Sequence, residues 1–251
     1  MSTVGTWAWA EATHGRLRRR DIVHQLHQGV IARLASMPDA WRRDVLGTQG
    51  SLALPDPPDS GLARLAEERV RELSSPALYG HCLRTWLFAA LFAQRDAVRH
   101  DQELLYLACV LHDLGLTDAH DQHDPTAACF AVEGARAAHE LLCRNGSAEG
   151  KATRVAEAIS LHLNVTVPER LGAEAHLLSK GVSLDVVGRY AHQLPAAALL
   201  EVNTHWPREG FSEYLVATTT RQAQIRGQSR SALLRRLGFN ALVEANRLDR
   251  A

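Results

Sequence analysis

Apolar residues recur at spacings of three and four along almost the whole chain, and the strict alternation of a half-buried strand is nearly absent. The pattern predicts helices throughout. A first helix is expected over 16–36, ending near Met37-Pro38. The stretch "GTQGSLALPDPPDSG" (47–61) is rich in turn formers and reads as a hinge, after which Asp59 or Ser60 can cap a helix through Leu73. Ser75 as cap and Pro76 at the first helical position open the next helix, to about Gln94. It is apolar on nearly every side and should be central. Asp101 caps "QELLYLACVLHDL", which Gly115 stops, and a polar loop "TDAHDQHDP" leads to a helix over about 126–144. "AEGKATRVAEAISLHL" makes another, closed before Pro168. Shorter helices are expected at 171–180, 183–190 and 195–202, with two more near 211–225 and 229–246. The fold class is all-α, with an N-terminal arm (1–55), a main domain (56–226) and a C-terminal helix (227–251) packed on it.

Composition narrows the function classes. At 251 residues the chain can bury one large core, and its formal net charge of zero gives no whole-chain case for nucleic acid or an anionic membrane. "GRLRRR" (15–20) and "RQAQIRGQSRSALLRR" (221–236) are the basic stretches, and both read as solvated or packed helix faces. No segment reaches the ~20 apolar residues that span a bilayer. The N-terminus lacks the order of a secretory signal, since its basic run follows the apolar part. Cys82, Cys109, Cys129 and Cys143 form no C-x-x-C and read as buried reduced thiols, in keeping with a cytoplasmic protein.

The chemistry has to be found among the histidines. Four His-Asp dipeptides occur, at 100–101, 112–113, 120–121 and 123–124. Asp101 has sufficient work as an N-cap, and the last two pairs sit in the polar loop. His112-Asp113 differs because "LLYLACVL" before it must be buried, and a buried carboxylate needs a partner such as a divalent metal. A helix end emerging into water is the alternative. His81 shares a helix stripe with Thr85, Phe88 and Phe92, where a hydrogen-bonded core histidine is equally at home. His162 shares an apolar face with Val155 and Ile159, and Asp185 is flanked by Leu184, Val186 and Val187, as a ligand, a cap or the partner of an arginine. Imidazole nitrogen and carboxylate oxygen together suit Zn²⁺, Fe²⁺ or Mn²⁺.

In the order His81, His112-Asp113, Asp185 the chain resembles the HD-domain superfamily of metal-dependent hydrolases, and within it the cyanamide hydratase (urea hydro-lyase) group. The resemblance covers about 56–226 and rests on "SSPALYGHCLRTWLFA", "LHDLGLTDAH", "FAVEGARAAH", "AISLHLN", "KGVSLDVVG" and "WPREGFSEYL". It implies an HD-domain helical bundle and one divalent metal, zinc first with iron or manganese as alternatives. The ligands it implies are His81, His112, Asp113 and Asp185, with His162 and Glu133 lining the site. The implied activity is addition of metal-activated water to a small nitrile-type substrate, cyanamide to urea, with Asp113 or His162 as the acid/base. The chain departs from the family pattern at Gly80, Ala131 and Asn164.

Other readings stay open at this point. An HD phosphohydrolase acting on a nucleotide would draw on Arg84 and Lys180, though its usual lysine position is Leu116 and the following loop is acidic. A two-metal hydrolase or oxygenase would recruit further ligands from His120, His123, His139, His162 and His176. A binding domain without catalysis would have no need of the ligand set. The expected partner is a small-molecule substrate, with no nucleic acid and no membrane. Residues 1–55, with Trp7, Trp9 and Trp41, are left to cover a core edge or the interface of a homo-oligomer.

Overall fold

The computed structural model describes residues 3–35, 47–120 and 128–250, and among these the fold is helical with no strand. Twelve α-helices follow in order: α1 Trp7–Thr13, α2 Arg19–Ala35, α3 Gly61–Leu73, α4 Pro76–Asp96, α5 Gln102–Leu111, α6 Phe130–Arg144, α7 Glu149–Leu161, α8 Ala173–Val187, α9 Ala196–His205, α10 Phe211–Ile225, α11 Arg230–Arg236 and α12 Phe239–Glu244. A single 3-10 turn, Leu114–Leu116, follows α5. None of the described helices is long and apolar enough to cross a membrane.

Helix α4 is the axis of the bundle. The Ser75 hydroxyl accepts from the Leu78 amide, Pro76 supplies a first-turn residue with no amide to satisfy, and Ala97 ends the helix in the left-handed region at φ 52°. From Leu78 to Ala93 only Tyr79 escapes full burial. Side chains such as Phe88, Leu91 and Phe92 each contribute about 1.5–3 kcal/mol through removal from water. Helices α5, α8, α9 and α10 all pack on it. Helix α5 is capped by Asp101 and lies between α3, α4, α7 and α8, which explains why its sequence is apolar on all sides.

Two glycines set the closest approaches. Gly181 lets α8 lie against α4, since a Cβ there would overlap the Thr85 carbonyl oxygen and meet Ala89 at 3.2 Å. Gly115 does the same between the 3-10 turn and α6, where a Cβ would overlap the Phe130 carbonyl and lie 2.9 Å from the Gly134 amide nitrogen. These contacts fix where Asp185 and His112-Asp113 sit relative to α4.

Several expectations are corrected. The helices expected at 171–180 and 183–190 are one, Ala173–Val187, because Gly181 serves as a contact surface and breaks nothing. The expected helix over 229–246 is two, divided at Gly238, which adopts φ 88°. Helix α1 was not expected; Thr6 caps it, and it packs on α7. Trp9 and Leu17 from this arm join Leu78, Leu116, Phe130 and Val132 in a second apolar cluster. The end of the first expected helix, at Met37-Pro38, lies outside the described residues, as do Trp41 and the loop residues Asp121, His123 and Asp124. Cys82, Cys109 and Cys129 are buried free thiols, whereas Cys143 is exposed.

Replacing Gly181 by alanine should therefore lower stability by about 1–3 kcal/mol through overpacking. Gly150→Ala, in a helix with open space around the glycine, should be neutral or stabilising by up to about 1 kcal/mol. Urea unfolding of both variants checks the contrast, and equal behaviour would remove Gly181 from its assigned role.

Candidate metal centre

Four helices deliver side chains to one buried point. His81 comes from α4, His112 and Asp113 from the end of α5, His162 from the end of α7, and Asp185 from α8. His112 and His162 are placed by the same local device. Each is the residue after its helix, still near helical φ and ψ, and its Nδ1–H donates to the carbonyl three residues back: Cys109 at 2.7 Å and Ile159 at 2.6 Å. A carbonyl can only accept, so Nδ1 carries the proton and Nε2 is left as the inward-facing atom.

The Nε2 atoms of His81 and His112 lie 3.1 Å apart, and Asp113 Oδ2 lies 3.5 Å and 3.3 Å from them. Among the described residues these three side chains form the group whose donor atoms could hold a metal ion, all within 4.8 Å of one another. The fit rests on donor chemistry. Two imidazole nitrogens with their other ring nitrogens already engaged, beside a carboxylate oxygen, match the nitrogen and oxygen donors of a divalent site. His162 Nε2 stands 3.7 Å from Asp113 Oδ1, on the other side of the carboxylate.

Comparison with known proteins agrees with this geometry. Residues 78–199 match the HD domain family. The cyanamide hydratases DDI2 and DDI3 of Saccharomyces cerevisiae are each 31% identical to the chain over 160 residues, 62% of this chain and 70% of the relative. The chain belongs to the HD-domain superfamily. Its matched segment contains every residue of the expected ligand set.

One member of the HD set is placed differently from expectation. Asp185 does not bring an oxygen to the cluster of His81, His112 and Asp113. Its Oδ2 lies 2.6 Å from His81 Nδ1 and accepts from Arg84 Nη2 at 3.0 Å, while Oδ1 accepts from Arg84 Nε at 2.8 Å and from Arg208. The cause is local. Arg84 follows His81 by three residues on the same face of α4, so its guanidinium meets the carboxylate that approaches His81. The sequence leaves room for an arginine partner of Asp185 without pointing to Arg84, and Arg208, in "WPREGFSEYL", carries no local signal of that contact.

Glu133 is also off the site. It is buried on α6, with Oε2 3.7 Å from an Arg226 nitrogen, and is not among the residues lining the cavity beside the HD cluster. That cavity has a volume of about 40 Å³, and its wall includes His81, Asp113 and His162 together with Leu116, Phe130, Val182, Val186, Leu215 and Phe239. A larger open depression, about 510 Å³, lies by Thr48, Arg95 and His192 and includes no residue of the cluster. Gly80, Ala131 and Asn164, the departures from the family pattern, do not line the HD cavity. Asn164 instead ties the arm to the domain, donating to the Val4 carbonyl. His139 and His176, named above as candidates for a second metal, are half-buried and outside the cluster: His139 stacks on Trp7, and His176 Nδ1 bonds the Val167 carbonyl.

Burial opposes charge on each member of the HD cluster, and neighbours decide the outcome. His162 is pushed down to about 3 by burial and by the nearby His112. His81 is held below its ordinary value, burial outweighing the pull of Asp185. His112 goes the other way: burial lowers it, but the Asp113 charge and hydrogen bond carry it well above the usual histidine value. For Asp113, burial alone would raise the pKa, yet His112, His162 and His81 hold it far below the carboxylate range. The proton on His112 thus lies where a divalent cation would be held by the same atoms.

These shifts fix a sign for the metal-free protein. Between pH 6.5 and 3.8, the ordinary values of histidine and aspartate, the unfolded chain takes up protons on His81 and His162 that the folded protein refuses. Stability from these two groups is complete above that window and falls as pH is lowered through it. His112 acts in the opposite sense, its contribution being lost as pH rises above 6.5. Urea unfolding of chelator-treated His162→Gln should show a shallower loss of stability from pH 6.5 to 4 than the parent, and an identical slope would contradict the buried neutral imidazole.

Proposed function

We propose that this HD-domain chain is a metal-dependent hydro-lyase that adds water to a small nitrile, cyanamide to urea being the leading reaction. The observation that carries this reading is the buried His81–His112–Asp113 cluster opening onto a small, mostly apolar cavity with His162 at its wall. The names of the two yeast relatives support the substrate class.

A divalent ion, zinc first with iron or manganese as alternatives, would be held by His81, His112 and Asp113, and supplies Lewis acidity that acidifies a water and polarises a nitrile. The chain's own residues do the rest. Asp113 faces His162 through one oxygen and the two ligand histidines through the other, so one side chain connects the ligand cluster with the proton carrier. His162 is neutral, with Nδ1–H committed to Ile159, so Nε2 is free to accept a proton as the C–O bond forms and to return it to the nitrile nitrogen. Water is consumed, the C≡N triple bond loses one bond to nitrogen, and the resulting imidic acid tautomerises to the amide. The apolar wall excludes bulk water and suits an uncharged substrate.

The nucleotide phosphohydrolase reading fits less well. A cavity of about 40 Å³ is well below the roughly 300–1,000 Å³ of typical drug-sized ligand sites. The two cations nearest to hand for phosphate in the sequence are engaged elsewhere: Arg84 with Asp185, and Lys180 with Asp96 at 2.6 Å. Leu116, at the position where such enzymes carry lysine, lines the cavity.

Elemental analysis and a urea-release assay test the proposal together. The purified chain should carry about one zinc, iron or manganese and release urea from cyanamide; Asp113→Ala and His81→Ala should lose the metal. His162→Gln should keep the metal while kcat falls by about 10²–10⁴-fold. Two metals per chain would favour a two-metal hydrolase or oxygenase, and a folded, metal-free, inactive chain would leave a binding protein.

A further inference from the structure

We propose that Arg230 is a positioning residue for His162: it closes the end of α7 and so holds the imidazole in the orientation that proton transfer requires. This rests on the acid/base part of the proposed function and is independent of which metal is bound.

The carbonyls at the end of α7 carry the inference. A helix leaves its last four carbonyls without intrahelical amides, and buried ones need other donors. Ile159 O accepts from the His162 amide at 3.3 Å and from His162 Nδ1 at 2.6 Å, and Leu161 O accepts from the Asn164 amide at 2.8 Å. Between them Ser160 is fully buried, and its carbonyl accepts from Arg230 Nη1 at 2.6 Å. The turn that aims His162 inward is therefore completed by a side chain from another helix. Without that donor a buried carbonyl is left unpaired, one peptide away from the carbonyl that holds the His162 ring, and opening the turn is the way to pair it.

Arg230 is built into this place. Ser229 caps α11 by accepting from the Ala232 amide, which sets where Arg230 leaves the chain. The arginine is 1% exposed and, among the described residues, has no carboxylate partner. Its charge meets instead the negative end of the α7 dipole, Asn164 Oδ1 at 3.1 Å and the face of Trp9, 5.2 Å from the ring centroid. The arm closes over the same group. A Cβ on Gly5 would overlap both Arg230 Nη1 and the Asn164 amide, Val4 O accepts from Asn164 Nδ2 at 2.7 Å, and Gln25 Nε2 donates to Asn164 Oδ1 at 3.1 Å. Arg230 does not line the cavity and bonds none of His81, His112, Asp113 and Asp185, so its effect on the chemistry passes through His162. The arm and Arg230 both lie outside residues 78–199: the segment that matches the HD family supplies His162, and the rest of the chain sets its angle.

The test uses the full chain with its metal, and the variants Arg230→Met, Arg230→Lys and His162→Gln. For Arg230→Met, kcat for urea release from cyanamide should fall about 10–100-fold with KM and metal content at parent values, because a misplaced acid/base group is felt in the transition state. Arg230→Lys, which keeps a donor for the Ser160 carbonyl, should recover part of that loss. In the His162→Gln background Arg230→Met should cost no more than about twofold further, since the residue it positions is gone. Equal losses in both backgrounds would make Arg230 a structural residue and overturn the inference.

A second readout needs neither metal nor substrate. The His162 Nδ1–H proton, identified in ¹H–¹⁵N spectra as the imidazole signal missing from His162→Gln, should exchange with water faster in Arg230→Met than in the parent, while the amides of α4 keep their protection. An unchanged rate would overturn the inference. A parent chain that releases no urea would overturn the hydro-lyase reading and leave this proton to decide the positioning. If Arg230→Met does not fold, both readouts are taken on Arg230→Lys, with a smaller kcat loss that vanishes in the His162→Gln background as the expected result and equal losses again overturning it.

Discussion

Two imidazole nitrogens and a carboxylate oxygen, within 3.5 Å of each other at the centre of a helical core, are the constraint on which the rest of this structure depends. Such a group is costly to bury unless positive charge sits among the acceptors. A shared proton can provide it and a divalent cation can provide more of it, which is why the same atoms read both as a coupled titrating cluster and as a ligand set. The surrounding helices serve this placement. Glycine contacts at 115 and 181 bring α6 and α8 close, and helix-end histidines bonded to their own carbonyls aim Nε2 inward.

A second charge group, buried except at Asp249, lies behind the first. Asp185, Arg84, Arg208 and Asp249 balance to zero, so the carboxylate at His81 Nδ1 brings no surplus charge to the cavity. Asp185 is accordingly held far below the carboxylate range: burial would raise it, but Arg84 and then Arg208 outweigh that, with His81 adding to their effect. The two groups meet only at the His81 ring, one at each nitrogen. That ring is the joint between the chemistry of the cavity and the packing of the C-terminal segment.

Much of this was legible in the chain. Helix caps at Ser60, Ser75 and Asp101 were readable because capping is local, and the burial of His112-Asp113 followed from the apolar run before it. His81 and His162 were legible as polar residues on faces that had to pack inward. Asp185 was legible as a buried carboxylate but not as to which atom it would meet, since that depends on how far α8 slides along α4. Arg208 carried no local signal; it reaches Asp185 from a turn between α9 and α10. Helix α1 was missed because "WAWAEAT" is seven residues long, too short for periodicity to register, and is stabilised by tertiary contact with α7.

The cavity divides along the same line. His81, Asp113, Leu116, Phe130, His162, Val182 and Val186 come from the segment that matches the HD family, while Leu215, Thr219, Ser231, Leu234 and Phe239 come from beyond it. Every residue of the candidate ligand cluster lies within that matched segment. The inner wall is bound to the coordination chemistry, so a residue changed there disturbs the ligands it touches. The part of the wall built by α10, α11 and α12 shapes the cavity without contributing a candidate ligand. Changes at residues 215–239 can therefore alter the shape of the cavity while every candidate ligand stays in place, and Phe211, at the start of α10, is where such a change would first be felt by His81.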